Sequence, residues 1–299
     1  MYVLLICLLS INVTFVEQTT YIKNSNTSQN EMYAIVSNYI PDSESFREKV
    51  SLLKTGNLVW SQEFQGKSHF YISNTGTVVS IIRHGSDAIL NFYDQNGISQ
   101  NSIKVPFPHG GNFTKDGKLF FFLSGSNGLS VFDQSGNEIN NFGTCHKYAF
   151  SNDGRTVALV HENNFTVYID KIPVWQTSVP SAHVRSVVIS DDGAILALID
   201  NQYLYVYDLT ANCQKYRVSI KNPTVLAMSP DGGLIAVAKE ERHATSHISV
   251  LLYNLENEVV WEWSRILDHD YETIHHIDFT ENDYLHVYAT DDLFRFSIK

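Results

Sequence analysis

The segment from Val184 to Asp208, VRSVVISDDGAILALIDNQYLYVYD, is a unit that the rest of the chain repeats. An apolar run meets Ser-Asp-Asp-Gly, a second run follows, a polar break intervenes, and a third run ends on Tyr-Asp. The same order recurs in HFYISNTGTVVSII, GNFTKDGKLFFFL, KYAFSNDGRTVALV and VLAMSPDGGLIAVA, with a degenerate copy in IDFTENDYLHVY. The turn glycines are Gly76, Gly117, Gly154, Gly193 and Gly232, at spacings of 41, 37, 39 and 39, and Asp283 takes the place in the last copy. A turn that needs positive φ explains glycine after Asp or Asn. The runs are short, rich in β-branched and aromatic residues, and bounded by turn-formers, so they read as strands. SESFREKVSLLK is the one candidate helix, and its apolar spacing is weak.

Two further markers keep the same period. The third run of each copy closes on an aromatic residue, usually with a turn-former: Tyr93-Asp94, Phe132-Asp133, Tyr168, Tyr207-Asp208, Tyr253-Asn254 and Phe296. Trp60, Trp175 and Trp261 fall at one phase of a fourth run. Repeats of about 40 residues with four strands each indicate a β-propeller. The expectation is an all-β chain, one propeller of seven blades with four antiparallel strands each, with six blades as the alternative count. The blades are placed at roughly 18–64, 65–105, 106–143, 144–179, 180–220, 221–266 and 267–299, the last ending at its third strand. Residues 10–16 are a candidate closing strand if they are retained. Runs such as KLFFFL, TVALV and AILALI are continuous rather than alternating, as strands buried on both faces should be.

The Ser-Pro-Asp-Gly at Ser229 to Gly232, its variants and the aromatic-Asp strand ends resemble the Trp-Asp (WD) repeat and quinoprotein-like propellers. The resemblance covers nearly all of the chain after residue 17 and implies the fold. The chain has no Trp-Asp dipeptide and no regular Gly-His pair, so it resembles a divergent member.

Residues 3–16, VLLICLLSINVTFV, form an uncharged apolar run that is too short for a confident membrane span. It suits the apolar region of a secretory signal. The expected organisation is therefore a signal peptide at 1–17 and a propeller at 18–299, giving a secreted or periplasmic protein with no transmembrane span in the mature chain. Cys145 and Cys213 then remain, placed at opposite ends of their blades, and are expected to be free thiols buried as small apolar residues. Asn26, Asn112 and Asn164 lie in N-x-S/T sequons. A formal charge of -11 and no Lys/Arg block argue against nucleic acid.

In a four-stranded blade the b–c and d–a links leave one end, called the upper end here, and the a–b and c–d turns leave the other. Repeat phase places most histidines at the upper end, with His109, His183 and His269 in d–a links and His243 and His247 in a b–c link. His109, His146 and His275 share one phase and are the metal candidates, since imidazole suits zinc, copper or iron. The candidate binding set is His109, His146, His183, His243, His247, His269 and His275. The long links KEERHATSH and RILDHDYETIHH add to it, because insertions in repeat proteins mark a working face. No G-x-S-x-G and no His-Glu-x-x-His occurs, and no motif requires a cofactor. The functional expectation is a non-catalytic, monomeric scaffold whose upper end binds a protein, peptide or glycan. The alternative is a metal- or cofactor-dependent propeller enzyme using the histidines of the channel mouth.

Overall fold

The computed structural model describes residues 22–27, 32–40, 47–66, 68–125, 127–162, 164–179, 183–241, 247–266, 273–279, 284–289 and 293–298. Among them there is no helix, and every sheet is an antiparallel meander. The first sheet is β1 (Ile22–Thr27), β2 (Tyr33–Tyr39), β3 (Arg47–Lys54) and β4 (Asn57–Gln65). The second is β5 (Ser68–Ile72), β6 (Val78–His84), β7 (Asp87–Tyr93) and β8 (Ser99–Pro106). The third is β9 (Pro108–Phe113), β10 (Leu119–Ser124), β11 (Gly128–Asp133) and β12 (Glu138–Asn141). The fourth is β13 (Lys147–Phe150), β14 (Thr156–Val160), β15 (Asn164–Ile169) and β16 (Ile172–Ser178). The fifth is β17 (Ser186–Ile189), β18 (Ile195–Ile199), β19 (Tyr203–Asp208) and β20 (Cys213–Ser219). The sixth is β21 (Pro223–Met228), β22 (Leu234–Glu241), β23 (His247–Asn254) and β24 (Val259–Ile266). The seventh has three described strands, β25 (Ile274–Phe279), β26 (Tyr284–Ala289) and β27 (Leu293–Ser297).

These seven sheets match the seven blades expected from the repeat. β1, with the polar sequence IKNSNT, pairs with β2. The described part of the weak helix candidate, residues 47–54, is strand β3 instead, because Val50 and Leu52 alternate into a buried face, and the rest of it lies outside the described residues. The expected signal peptide and residues 10–16 lie outside the described residues. Contacts divide the chain into two compact units, Met1–Thr144 and Cys145–Lys299, so the first three blades form one and the last four the other.

Within each unit, neighbouring blades pack face to face through apolar clusters. Blades one and two share Ile35, Leu52, Phe70 and Val78, while blades two and three share Leu90, Phe92, Phe120 and Phe132. Blades four to seven are joined by three comparable clusters. Every residue of β14 and of β18 is buried, which accounts for their unbroken apolar sequence.

The Ser-x-Asp-Gly turns are closed hydrogen-bond circuits. In blade five the Ser190 hydroxyl donates to Asp192 Oδ1 at 2.6 Å, and the Ile195 amide donates back to Ser190 Oγ at 2.9 Å. The Ala194 amide donates to Asp192 at 2.9 Å and the Gly193 amide to the Ser190 carbonyl at 2.9 Å. The same bonds form around Thr114/Asp116, Ser151/Asp153 and Ser229/Asp231. The Ser229 hydroxyl, with the Gly233 amide, holds the Asp231 carboxyl below its ordinary range. Turns also touch across blades, since the Asn152 amide donates to Asp191 O and the Asp191 amide to Pro230 O.

The two aromatic markers meet in space. In each of the first six blades the fourth strand carries a one-residue bulge against the third. The bulge re-aims the following side chain, which in blades one, four and six is Trp60, Trp175 and Trp261. Trp175 packs edge-on to Tyr207 of blade five at 5.8 Å, and Trp261 lies 4.8 Å from Phe296 of blade seven. Where the residue is Tyr216, its hydroxyl donates to Asn254 O of the next blade at 3.0 Å.

Tyr205 and Tyr207 are both buried on β19 but differ in their hydroxyls. Tyr205 donates to Asp200 at 2.9 Å, whereas the Tyr207 hydroxyl is buried without a hydrogen-bond partner. Burial, with Asp200 as a further cause, pushes Tyr205 up to about 12, and burial pushes Tyr207 up to about 12. Both folded values exceed the ordinary 10.0. Their stabilisation is therefore complete below pH 10 and is lost as pH rises through the folded values. Tyr207→Phe is expected to be neutral or stabilising in thermal melts and to weaken the alkaline transition. Tyr205→Phe should cost about 1–3 kcal/mol, because it strands a buried carboxylate oxygen.

Candidate functional site

Five of the candidate histidines, His109, His146, His183, His247 and His275, are among the described residues, each near the b–c or d–a end of its own blade. His109 is not in a link: it is the second residue of β9 and is exposed. The d–a connection before it consists of Phe107 alone, because β8 runs to Pro106 and β9 begins at Pro108. His146 precedes β13, donates its amide to Val160 O at 2.9 Å, and is exposed. His183 is exposed ahead of β17, and exposed His275 lies in β25 with a ring nitrogen 3.2 Å from Thr273 Oγ1. His243 and His269 fall outside the described residues.

The link KEERHATSH is shorter than its sequence implies. Lys239, Glu240 and Glu241 continue β22 and pair with Ser249, Ile248 and His247 of β23, since the strand register simply extends. His247 Nε2 lies 3.3 Å from Glu241 Oε2 across the end of this hairpin. Of RILDHDYETIHH, Arg265 and Ile266 belong to β24 and the last three residues to β25. Among the described residues no three His, Cys, Asp or Glu side chains form a group able to hold a metal ion.

Cys145 and Cys213 are free, as expected from their phases. Their expected burial is corrected: Cys213 is exposed, because it opens the outer strand β20, and Cys145 is half-buried. Burial pushes the Cys145 thiol up to about 11. Since the thiolate is the reactive form, native protein treated with a thiol reagent at pH 8 should label Cys213 rapidly. Cys145 should label slowly, and equal rates at the two would contradict this placement.

Around Phe107 the upper end of blades two and three is closely built. Phe107 has φ of 44°, in the left-handed region. Its amide donates to Ser86 O at 2.7 Å, and its carbonyl accepts the Gly125 amide at 2.9 Å. Both partners lie in b–c links, so the backbone is clamped between two blades. The side chain is left 56% exposed. Arg83 donates to Pro108 O at 3.3 Å, and Lys104 Nζ sits 2.7 Å from Asp87 Oδ2. Sequence reading missed Phe107 because a Pro-Phe-Pro run looks like any turn. Set beside Ile220-Lys-Asn-Pro at the corresponding link, Val105-Pro-Phe-Pro shows an aromatic residue where Asn stands elsewhere.

No family model and no curated protein sequence matches the chain. Solved structures do. Kluyveromyces lactis Hsv2 aligns with a TM-score of 0.65 at 12% identity, over 94% of this chain and 94% of that one. The Cps50 (Swd1) β-propeller domain of Myceliophteria thermophila aligns with a TM-score of 0.61 at 10% identity, over 96% of this chain and 100% of that one. At such identities the likeness concerns the fold alone. With seven meander sheets and a 40-residue period, the chain has the WD40-like β-propeller fold in a divergent form.

Proposed function

We propose that the chain is a non-catalytic interaction scaffold, secreted or held in the cell envelope, that binds a protein, peptide or glycan at the upper end of its blades. The observation that carries this reading is the build of that end. Exposed His84, Phe107 and His109 in the first unit, and exposed His146, His183 and His275 in the second, lie on or next to strands near the b–c or d–a ends of their own blades. The opposite end is occupied by turns whose polar groups satisfy one another. Recognition residues on a rigid scaffold are how loops at a strand edge acquire binding roles. The apolar run at 3–16 supports the compartment.

The test compares two variants of the full chain as bait in its native source. A His146→Ala/His183→Ala/His275→Ala variant should lose the ligand that the wild type retains. A lower-end variant, Lys215→Ala, should keep it. Equal retention by both would refute an upper-end site. Membrane-free culture fluid or periplasm should contain the mature chain beginning near residue 18, and cytoplasmic protein starting at Met1 would refute the compartment.

A further inference from the structure

The link between blades two and three can be compared with a second link of the same build within the other unit. Asn222, between β20 and β21, also has left-handed backbone (φ 50°), is also followed by a proline, and also offers its carbonyl to a b–c strand amide, that of Glu240. In both places an arginine donates to the carbonyl of the proline, Arg83 to Pro108 and Arg185 to Pro223. Asn adopts the left-handed region readily, whereas a bulky aromatic residue there is an outlier. A following proline disfavours helical backbone further. The geometry therefore asks for Asn, and residue 107 is Phe. Nor is Phe107 retained for the core, because its ring is 56% exposed. Strain of this kind, held by surrounding bonds, gathers at ligand clamps.

The surroundings narrow the ligand. Gly125 has ordinary backbone, so glycine is not needed there for its φ. A β-carbon at Gly125 would lie 3.2 Å from both the His109 ring and Phe107 Cβ, so its absence leaves room beside the two. The Asp87 carboxylate is occupied by Lys104. Arg83 has no carboxylate partner among the described residues and donates to the carbonyl of Pro108, the residue after Phe107. A guanidinium with no carboxylate partner among the described residues, bonded to the backbone of the residue after an exposed phenylalanine in a chain of net charge -11, marks a local cationic spot. Aromatic and Arg anchors of this kind dominate binding energy where they are well positioned.

From this we infer that Phe107 and Arg83 form a docking point for an extended acidic peptide segment of a partner protein, with an apolar side chain seated on Phe107 and the adjoining carboxylate on Arg83. The inference rests on the upper-end reading given under the proposed function and names the partner's chemistry and the blades that meet it. It also makes Phe107 a residue kept at the expense of the fold.

The experiment pans a phage-displayed library of random twelve-residue peptides against the full chain. Enriched peptides are then titrated by fluorescence anisotropy against wild type, Phe107→Asn, Arg83→Gln and His183→Ala. Enriched peptides should pair a bulky apolar residue with Asp or Glu, and should bind Phe107→Asn and Arg83→Gln at least tenfold more weakly. The melting temperature of Phe107→Asn should equal or exceed that of wild type, so lost binding is not lost folding. Peptides without the apolar–acidic pair, binding unaffected by Phe107→Asn, a lowered melting temperature for that variant, or no enrichment at all would each overturn the inference. Peptides that ignore Phe107 and Arg83 yet weaken with His183→Ala would leave the upper-end reading standing. Peptides indifferent to all three variants would count against both.

Discussion

Gly193→Ala is expected to destabilise the chain by about 3–4 kcal/mol and to lower its melting temperature by about 5–6 °C. Two costs combine. The residue has φ of 75°, which an L side chain adopts at about 1–2 kcal/mol. An added β-carbon would also lie 2.8 Å from Thr156 Cβ of the preceding blade and press on its Oγ1. Thr156 is buried at the start of β14, so it has little room to yield. Gly85 separates the two costs: its φ is 64°, yet a β-carbon there would meet nothing within 4 Å. Gly85→Ala should therefore lose only the backbone part. Thr156→Ala placed together with Gly193→Ala should recover part of the packing cost, giving a coupling energy in a double-mutant cycle. Equal melting shifts for Gly193→Ala and Gly85→Ala would show that the turns do not stack as described.

That stacking bears on what a reader of the sequence can recover. The period of the glycines was visible, and positive φ explains why each turn needs one. The second reason for glycine was not visible, because it depends on which atom of the neighbouring blade lies opposite. Gly232 faces Ser190 Cβ at 2.9 Å and Gly117 faces Ser73 Cβ at 3.2 Å, so in these two turns the serine of one repeat is the floor under the glycine of the next, whereas under Gly193 that place is taken by Thr156. The motif is an interface as well as a turn. Likewise the tryptophans and the aromatic strand ends could each be counted, but their meeting across blades follows from a bulge that no residue type announces.

The candidate site was less legible, for a physical reason. Repeat phase fixes which end of a blade a residue occupies, because strand direction alternates along the meander. It does not fix link length. By phase His109 falls in a link but belongs to β9, and Lys239 to Glu241 fall in a link but extend β22. Phe107 carries no signal in the sequence, because what sets it apart is a dihedral angle. Cys213 was expected to be buried by analogy with other small apolar side chains, but an outer strand at its turn end has solvent on one side.

Phe120→Ala should be the most damaging substitution in the first unit, at about 3–5 kcal/mol. Its ring is fully buried, at 0% exposure, and stands among Tyr71 at 5.5 Å, Phe92 at 5.9 Å, Phe113 at 4.9 Å and Phe122 at 6.3 Å. Tyr71 and Phe92 belong to blade two and the others to blade three, so one ring joins two sheets. Gly111 on β9 lies against the ring, and its missing side chain is what admits a residue this large. Removing the ring leaves a cavity walled by strands whose backbone hydrogen bonds hold them apart, so collapse around it is limited and the cavity cost is retained. Leu58→Ala is the control, because that side chain is 64% exposed on an outer strand and its loss should fall within about 0.5 kcal/mol. Hydrogen exchange followed by mass spectrometry supplies the location. Phe120→Ala should speed exchange first in β5, β7, β9 and β10, which carry the rings around residue 120. Protection lost uniformly along β1 to β4 as well, at the same rate, would mean that blades one to three open as one cooperative body and that the ring's effect is not local to the two sheets it joins.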